Sequence, residues 1–203
     1  MVAKNKKTKN KKEFFRDNYT QSWNYIKESK NFIYFITTLF VLFSLIGFFL
    51  PVPEAIAEQI FRFIEDLLQK TQGMSQGELV KFIFFNNLQG SFFGMVLGVL
   101  LGIFPIISII ANGYVLGFVA SISVQTVGAS ILWRLFPHGI FEIPALLISL
   151  GLGLKLGSFI FQKNKIKYFK EYLWNSLRVF VFVIIPLLIV AAIIEGSLIF
   201  LFQ

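Results

Sequence analysis

Residues 88–127 form a block of 40 residues with no charged side chain, and this block constrains the fold more than any other feature. As one straight helix it would be about 60 Å long, twice the hydrocarbon thickness of a bilayer. It must fold back. Gly102–Pro105 (GIFP) is the predicted reversal, because proline suits the first turn of a returning helix. Asn112–Gly113 is the alternative turn, but it would leave the second arm shorter still.

Further apolar blocks lie on both sides. Phe32–Leu50 is 19 residues without a charge, long enough to cross the hydrocarbon core. Ala55 and Ala57 have the spacing of a signal-peptidase site, but the apolar run exceeds a signal h-region of roughly 7–15 residues and 31 residues precede it. The segment is therefore read as a retained helix. Two more spans fall at about 140–161 and 177–202. Only 15% of the chain is charged, against about 25% in an ordinary soluble domain. The predicted fold class is all-α: a polytopic membrane protein with a five-span helical bundle (about 32–50, 88–103, 105–127, 140–161 and 177–202). Between the first two spans, Glu54–Lys70 places Ile56, Ile60, Phe63, Ile64 and Leu67 on one face, which predicts an external amphipathic helix. A short helix from Glu78 is expected to lead to Asn86–Asn87 at the start of the second span.

Charge sets the orientation. Residues 1–31 carry nine Lys/Arg against Glu13, Asp17 and Glu28, and 162–178 carry Lys163, Lys165, Lys167, Lys170 and Arg178 against Glu171. The connection 51–90 is instead net acidic. Basic loops stay cytoplasmic. Five spans with a cytoplasmic N-terminus and an external C-terminus put both basic segments inside and the acidic one outside. A single crossing of 88–127 would turn the lysine loop outward. Residues 1–31 are read as a basic cytoplasmic tail followed by an interfacial helix bearing Phe14, Phe15, Trp23, Tyr25 and Ile26; residues 32–203 form the membrane domain. The tail is read as an anchor near anionic lipid, and nucleic acid is not an expected partner.

The chain has no cysteine, one histidine and no nucleotide loop, dinucleotide fingerprint or Gly-x-Ser-x-Gly elbow. No cofactor is expected and the protein is read as non-enzymatic. Two patterns remain. Gly90, Gly94, Gly98 and Gly102 recur every four residues, as do Gly113 with Gly117 and Gly153 with Gly157; such spacing makes smooth faces where helices approach closely. The first span, rich in Phe and poor in small residues, looks lipid-facing. The other pattern is Pro137–Pro144 (PHGIFEIP), in which His138 and Glu142 are four apart but Gly139 and Pro144 point to broken helix. The five-span topology gathers Asn86, Asn87, Arg134, His138, Glu142 and Glu195 toward the outer side. Intramembrane ionisable groups usually pair and face the bundle interior. Mutual satisfaction that fixes packing, a ligand or ion site, and catalysis are the three readings of this cluster. One His and two Glu could hold a metal, but no helical H-E-x-x-H motif supports it.

The successive segments FFNNLQGSFFG, LLGIFPIISIIANGYVLG and PHGIFEIPALLISLGLGLKLG resemble the stage II sporulation protein M family of multi-pass membrane proteins. The resemblance spans roughly Phe82–Gly157 and matches at Asn86, Asn87, Gly94, Asn112, Gly113, His138, Gly139, Glu142 and Pro144. It implies five spans in a prokaryotic cell membrane and brings no cofactor or catalytic assignment. In spore-forming bacteria the namesake holds together a complex with peptidoglycan-degrading partners, but relatives occur in prokaryotes that make no spores. The expected function is a membrane scaffold that recruits envelope or membrane protein partners or shapes the envelope, with the glycine faces packing the bundle and a homodimer. The alternatives are a small transporter or channel component using the outer polar cluster, and an intramembrane metal-dependent hydrolase. The charge argument predicts that cysteines placed at Lys7 and Lys165 are shielded from an impermeant thiol reagent in intact cells, while one at Ser75 labels; labelling at 165 would overturn the five-span orientation.

Overall fold

The computed structural model describes the backbone of residues 11–202 and, except at 131–138 and 202, their side chains. Every regular element among them is helical: α1 (Lys11–Glu28), α2 (Lys30–Phe49), α3 (Glu54–Thr71), α4 (Gln76–Val96), α5 (Ile103–Val127), α6 (Leu132–Gly157), α7 (Lys165–Val179) and α8 (Ile185–Phe202). An all-helical chain satisfies its backbone hydrogen bonds internally, as hydrocarbon requires. Five helical segments among the described residues are long and apolar enough to cross a membrane: Lys30–Phe49, Gln76–Val99, Ile103–Val127, Gly139–Phe161 and Lys165–Leu201.

Local sequence explains where these helices begin and bend. Ser75 caps α4 in a reciprocal box: its hydroxyl and backbone N–H both reach the Glu78 carboxylate, at 2.6 and 2.9 Å. The helix then runs unbroken past Asn86–Asn87, so the short helix and the second span expected from the sequence are one element. The reversal falls at Leu100–Gly102, where Leu101 and Gly102 both take positive φ (60° and 71°) and Pro105 enters the first turn of α5. Pro144 does not break α6, contrary to the sequence expectation. Its missing N–H forfeits one bond to the Ile140 carbonyl; Pro144 faces outward, and the buried Ala145 beside it anchors the helix on the bundle. Between α7 and α8 the helix widens into a π turn at Phe180–Ile184. Pro186 follows two residues later, and its ring would clash with the Phe182 carbonyl in a regular helix; the wide turn accommodates it.

α6 is the hub, packing against α2, α4, α5, α7 and α8. Its approach to α4 is backbone on backbone: a Cβ on Gly153 would lie 2.8 Å from the Gly94 carbonyl oxygen and 2.9 Å from that of Met95. A Cβ on Gly98 would overlap the Gly153 carbonyl, and one on Gly157 would overlap Gly98 and Gly102. Ser149 on α6 donates to the Ser91 carbonyl of α4 at 2.6 Å, inside the same seam. The most extensive interface joins α2 and α5. There Gly113 faces the Phe40 carbonyl and Gly117 the Ser44 carbonyl, while Gly47 of α2 lies against Tyr114. The first span is thus only half lipid-facing: Ile36, Phe40 and Gly47 are buried in a seam whose smoothness α5 supplies. Gly90 stands apart from the rest of its stripe, since a Cβ there would meet nothing within 4 Å. α3 presents Ile60 inward, stacks Phe61 on Phe118 of α5 at 5.5 Å, and carries exposed i,i+4 pairs Arg62–Glu58 and Lys70–Asp66.

This geometry separates the glycines by consequence. Gly153→Leu and Gly98→Leu force α4 and α6 apart, and overpacking of this kind typically costs about 1–3 kcal/mol. Gly90→Ala adds a methyl to open space and is tolerated. Thermal melts in detergent should show a clear drop for the first two and none for the third.

Candidate functional site: a polar chamber between four spans

α4, α5, α6 and α8 bring one set of polar side chains together. α4 presents Asn86 and Asn87, with the Asn86 amide donating to the Asn87 carbonyl oxygen at 3.4 Å. From α6, Glu142 takes a hydrogen bond from Asn87 and shares another with Glu195 of α8. Two carboxyl groups hydrogen-bond only through a proton, because ionised carboxylates accept and do not donate. The second oxygen of Glu195, Oε2, is buried and has no hydrogen-bond partner. Asn112 of α5 anchors its own amide on the Ser108 carbonyl at 2.8 Å, leaving its side-chain oxygen free of that bond.

Two cavities meet at the asparagine pair. One, of about 120 Å³, is lined by Asn86, Asn87, Gly90, Ser108, Asn112 and Glu142, among others. The other, of about 260 Å³, lies between α3, α4 and α8 and has Asn86, Asn87 and Glu195 in its wall, with Leu67 and Leu68 of α3 opposite. Gly90 therefore serves as an opening in the chamber rather than as a packing surface. Asn86, Gly90 and Asn112 are exposed on the outer flank of the bundle, whereas Asn87, Glu142 and Glu195 are part-buried.

The structure brings together four of the six residues expected in the outer cluster: Asn86, Asn87, Glu142 and Glu195. The side chains of Arg134 and His138, in the first turns of α6, lie outside the described residues. Among the described residues, no three or more Asp, Glu or His side chains gather where they could hold a metal ion. Asn112 and Gly113, offered by the sequence as the alternative turn, lie instead inside unbroken α5 and divide their roles. Gly113 packs on α2, and Asn112 joins the chamber. Asn86 lies ten residues before the end of α4 and Asn112 nine after the start of antiparallel α5, so the two sit at similar distances from the reversal that joins the helices.

A second polar centre escaped sequence reasoning. Lys155, deep in α6, is only 7% exposed. Its ammonium donates to Ser29 Oγ at 3.0 Å and lies 3.9 Å from the Tyr25 ring centroid, with the Tyr172 ring at 5.4 Å. Ser29 in turn donates to the Tyr25 carbonyl at 2.6 Å. Burial raises the Tyr25 hydroxyl above its ordinary pKa, so it stays protonated and donates to the Tyr172 carbonyl at 3.4 Å. Cation–π contact and the Ser29 hydroxyl hold the ammonium directly, and the Glu28 and Glu171 carboxylates attract it from close by. The signal was a lysine inside a 23-residue apolar span, Gly139–Phe161.

The fold and chamber define a polytopic all-α membrane protein with five candidate spans and a polar interior. The stage II sporulation protein M family profile matches residues 36–198, and the chain belongs to that family. It is 31% identical over 179 residues to an uncharacterized protein of Methanocaldococcus jannaschii, covering 83% of this chain and 78% of that one. No solved structure matches.

The carboxyl pair predicts an order of effects. Glu142→Gln keeps a donor toward Glu195 and an acceptor for Asn87, so it should fold nearly as well as the parent. Glu142→Ala leaves both partners unpaired, a loss of about 1–3 kcal/mol for buried groups. Thermal melts of Glu142→Gln, Glu142→Ala, Glu195→Ala and the double alanine variant check this, and a double variant whose loss equals the sum of the singles would deny that the pair interacts.

Proposed function

We propose that this protein is a non-enzymatic, partner-recruiting membrane scaffold whose chamber flank receives a transmembrane helix of another protein. The N-terminus is cytoplasmic and the C-terminus external in this reading. The observation that carries it is the exposure of Asn86, Gly90 and Asn112 along one flank of α4 and α5. Amides facing lipid at mid-span are costly, and interhelical hydrogen bonds satisfy them. Gly90, with open space beside it, lets a partner backbone come close enough for those bonds. The occupant is a helix carrying a small residue and a hydrogen-bonding side chain at matching depth, from an envelope protein or from a second copy of this chain.

A small transporter or channel component is the second reading, favoured by the buried, unpartnered Oε2 of Glu195 beside a chamber that also holds Glu142. The two readings separate by experiment. A photo-crosslinking residue at Gly90 or Asn112, activated in native membranes, should capture one discrete protein or a dimer of this chain, and the same residue at Phe35, exposed on α2 and outside the chamber, should not. Gly90→Leu should remove the adduct while leaving the melting temperature unchanged. Lipid-only adducts at both flank positions, together with cation or proton uptake into proteoliposomes that Glu195→Gln abolishes, would replace the scaffold with the transporter.

A further inference from the structure

We infer that the junction of α1 with the π turn before α8 is a binding site for one anionic phospholipid, with the headgroup on Arg16 and an acyl chain in the adjoining groove. The groove encloses about 510 Å³ and is lined by Phe15, Arg16 and Tyr19 of α1 and by Val181, Phe182 and Pro186. All but one of these side chains are aromatic or aliphatic. Arg16 is the single cation, and it is exposed with no hydrogen bond or ion pair to another described residue.

The walls are built for the purpose by two devices. The π turn swings Phe182 toward α1, where its ring meets Phe14 and Phe15 at centroid distances of 6.3 and 6.1 Å. α1, held by the Lys155 centre, lies across the start of the last span, so the groove begins beside an amphipathic helix and continues along a transmembrane one. A phospholipid has the same division: an anionic head at the interface and a chain in the hydrocarbon. Phe15, Tyr19 and Val181 remain 60, 56 and 53% exposed, open to such an occupant. Lys12 lies one turn before Arg16 on the same face of α1. Basic clusters at the ends of membrane helices attract anionic headgroups, at about 1 kcal/mol per cation. The site does not depend on the scaffold reading, because it shares no residue with the chamber.

The test uses the full chain in detergent, with native mass spectrometry counting retained lipid during titration with phosphatidylglycerol or phosphatidylcholine of equal chain length. One phosphatidylglycerol should be retained in preference to phosphatidylcholine. Arg16→Gln should weaken phosphatidylglycerol roughly fivefold and leave phosphatidylcholine unchanged. Val181→Trp, which fills the groove from an exposed position, should weaken both lipids. Lys167→Gln, a cation outside the groove, should keep the preference. Equal retention of the two lipids by the parent would overturn the inference. So would an unchanged preference in Arg16→Gln, or an equal loss in Lys167→Gln, which would mark diffuse surface charge. Displacement of the lipid by millimolar inorganic phosphate would show a free-anion site instead.

Discussion

The architecture depends on two helix backbones that nearly touch. Where α4 meets α6, the atoms of Gly94, Met95 and Gly98 occupy the space that side chains on Gly153 and Gly157 would need. Water drives soluble helices together, but lipid is as apolar as a leucine surface and gives no such push. Close van der Waals contact and the hydrogen bonds that proximity allows must do it. The α4–α6 seam supplies both, since the Ser149–Ser91 bond forms only at this separation. It also fixes the register that sets Asn87 beside Glu142, and so the chamber is a consequence of the glycine seam rather than a separate feature.

The same logic separates what was legible in the sequence from what was not. Uncharged block lengths against bilayer thickness identified the spans, and the GIFP reversal was visible because Gly102 and Pro105 each favour one step of a turn. Periodicity could mark small faces but not assign partners. It grouped Gly90 with Gly94 and Gly98, although Gly90 faces a cavity and the other two face α6. It also read the Phe-rich first span as lipid-facing, because the small residues that make its seam with α5 are mostly on the other helix. Proline rules overstated the break at Pro144: they describe a helix in isolation, and α6 is held along its length by α2, α4, α5, α7 and α8.

The acid pair and the buried lysine show the limit of charge reasoning. Glu142 and Glu195 could be assigned to one cluster from topology alone, since both fall near the same ends of antiparallel spans. Lys155 could not, because its direct contacts are rings and a hydroxyl, and the acids that attract it, Glu28 and Glu171, lie on other helices, α1 and α7. The two centres lie 13 residues apart on α6, about 20 Å along its axis. One helix therefore carries an acidic polar centre toward one end and a cationic one toward the other, each closed by a different pair of neighbours.

The lysine centre has a consequence for how the protein is made. Ser29 and Lys155 are 126 residues apart, and the chain is synthesised from α1 onward. When α6 is made, with a cation in its apolar stretch, the ring and hydroxyl that cap it are already present at Tyr25 and Ser29. Tyr172 arrives last, on α7, and closes the centre from the other side. The N-terminal segment thus carries in advance groups that a later helix needs, and a chain lacking it would leave the Lys155 ammonium without its Tyr25 ring and Ser29 hydroxyl.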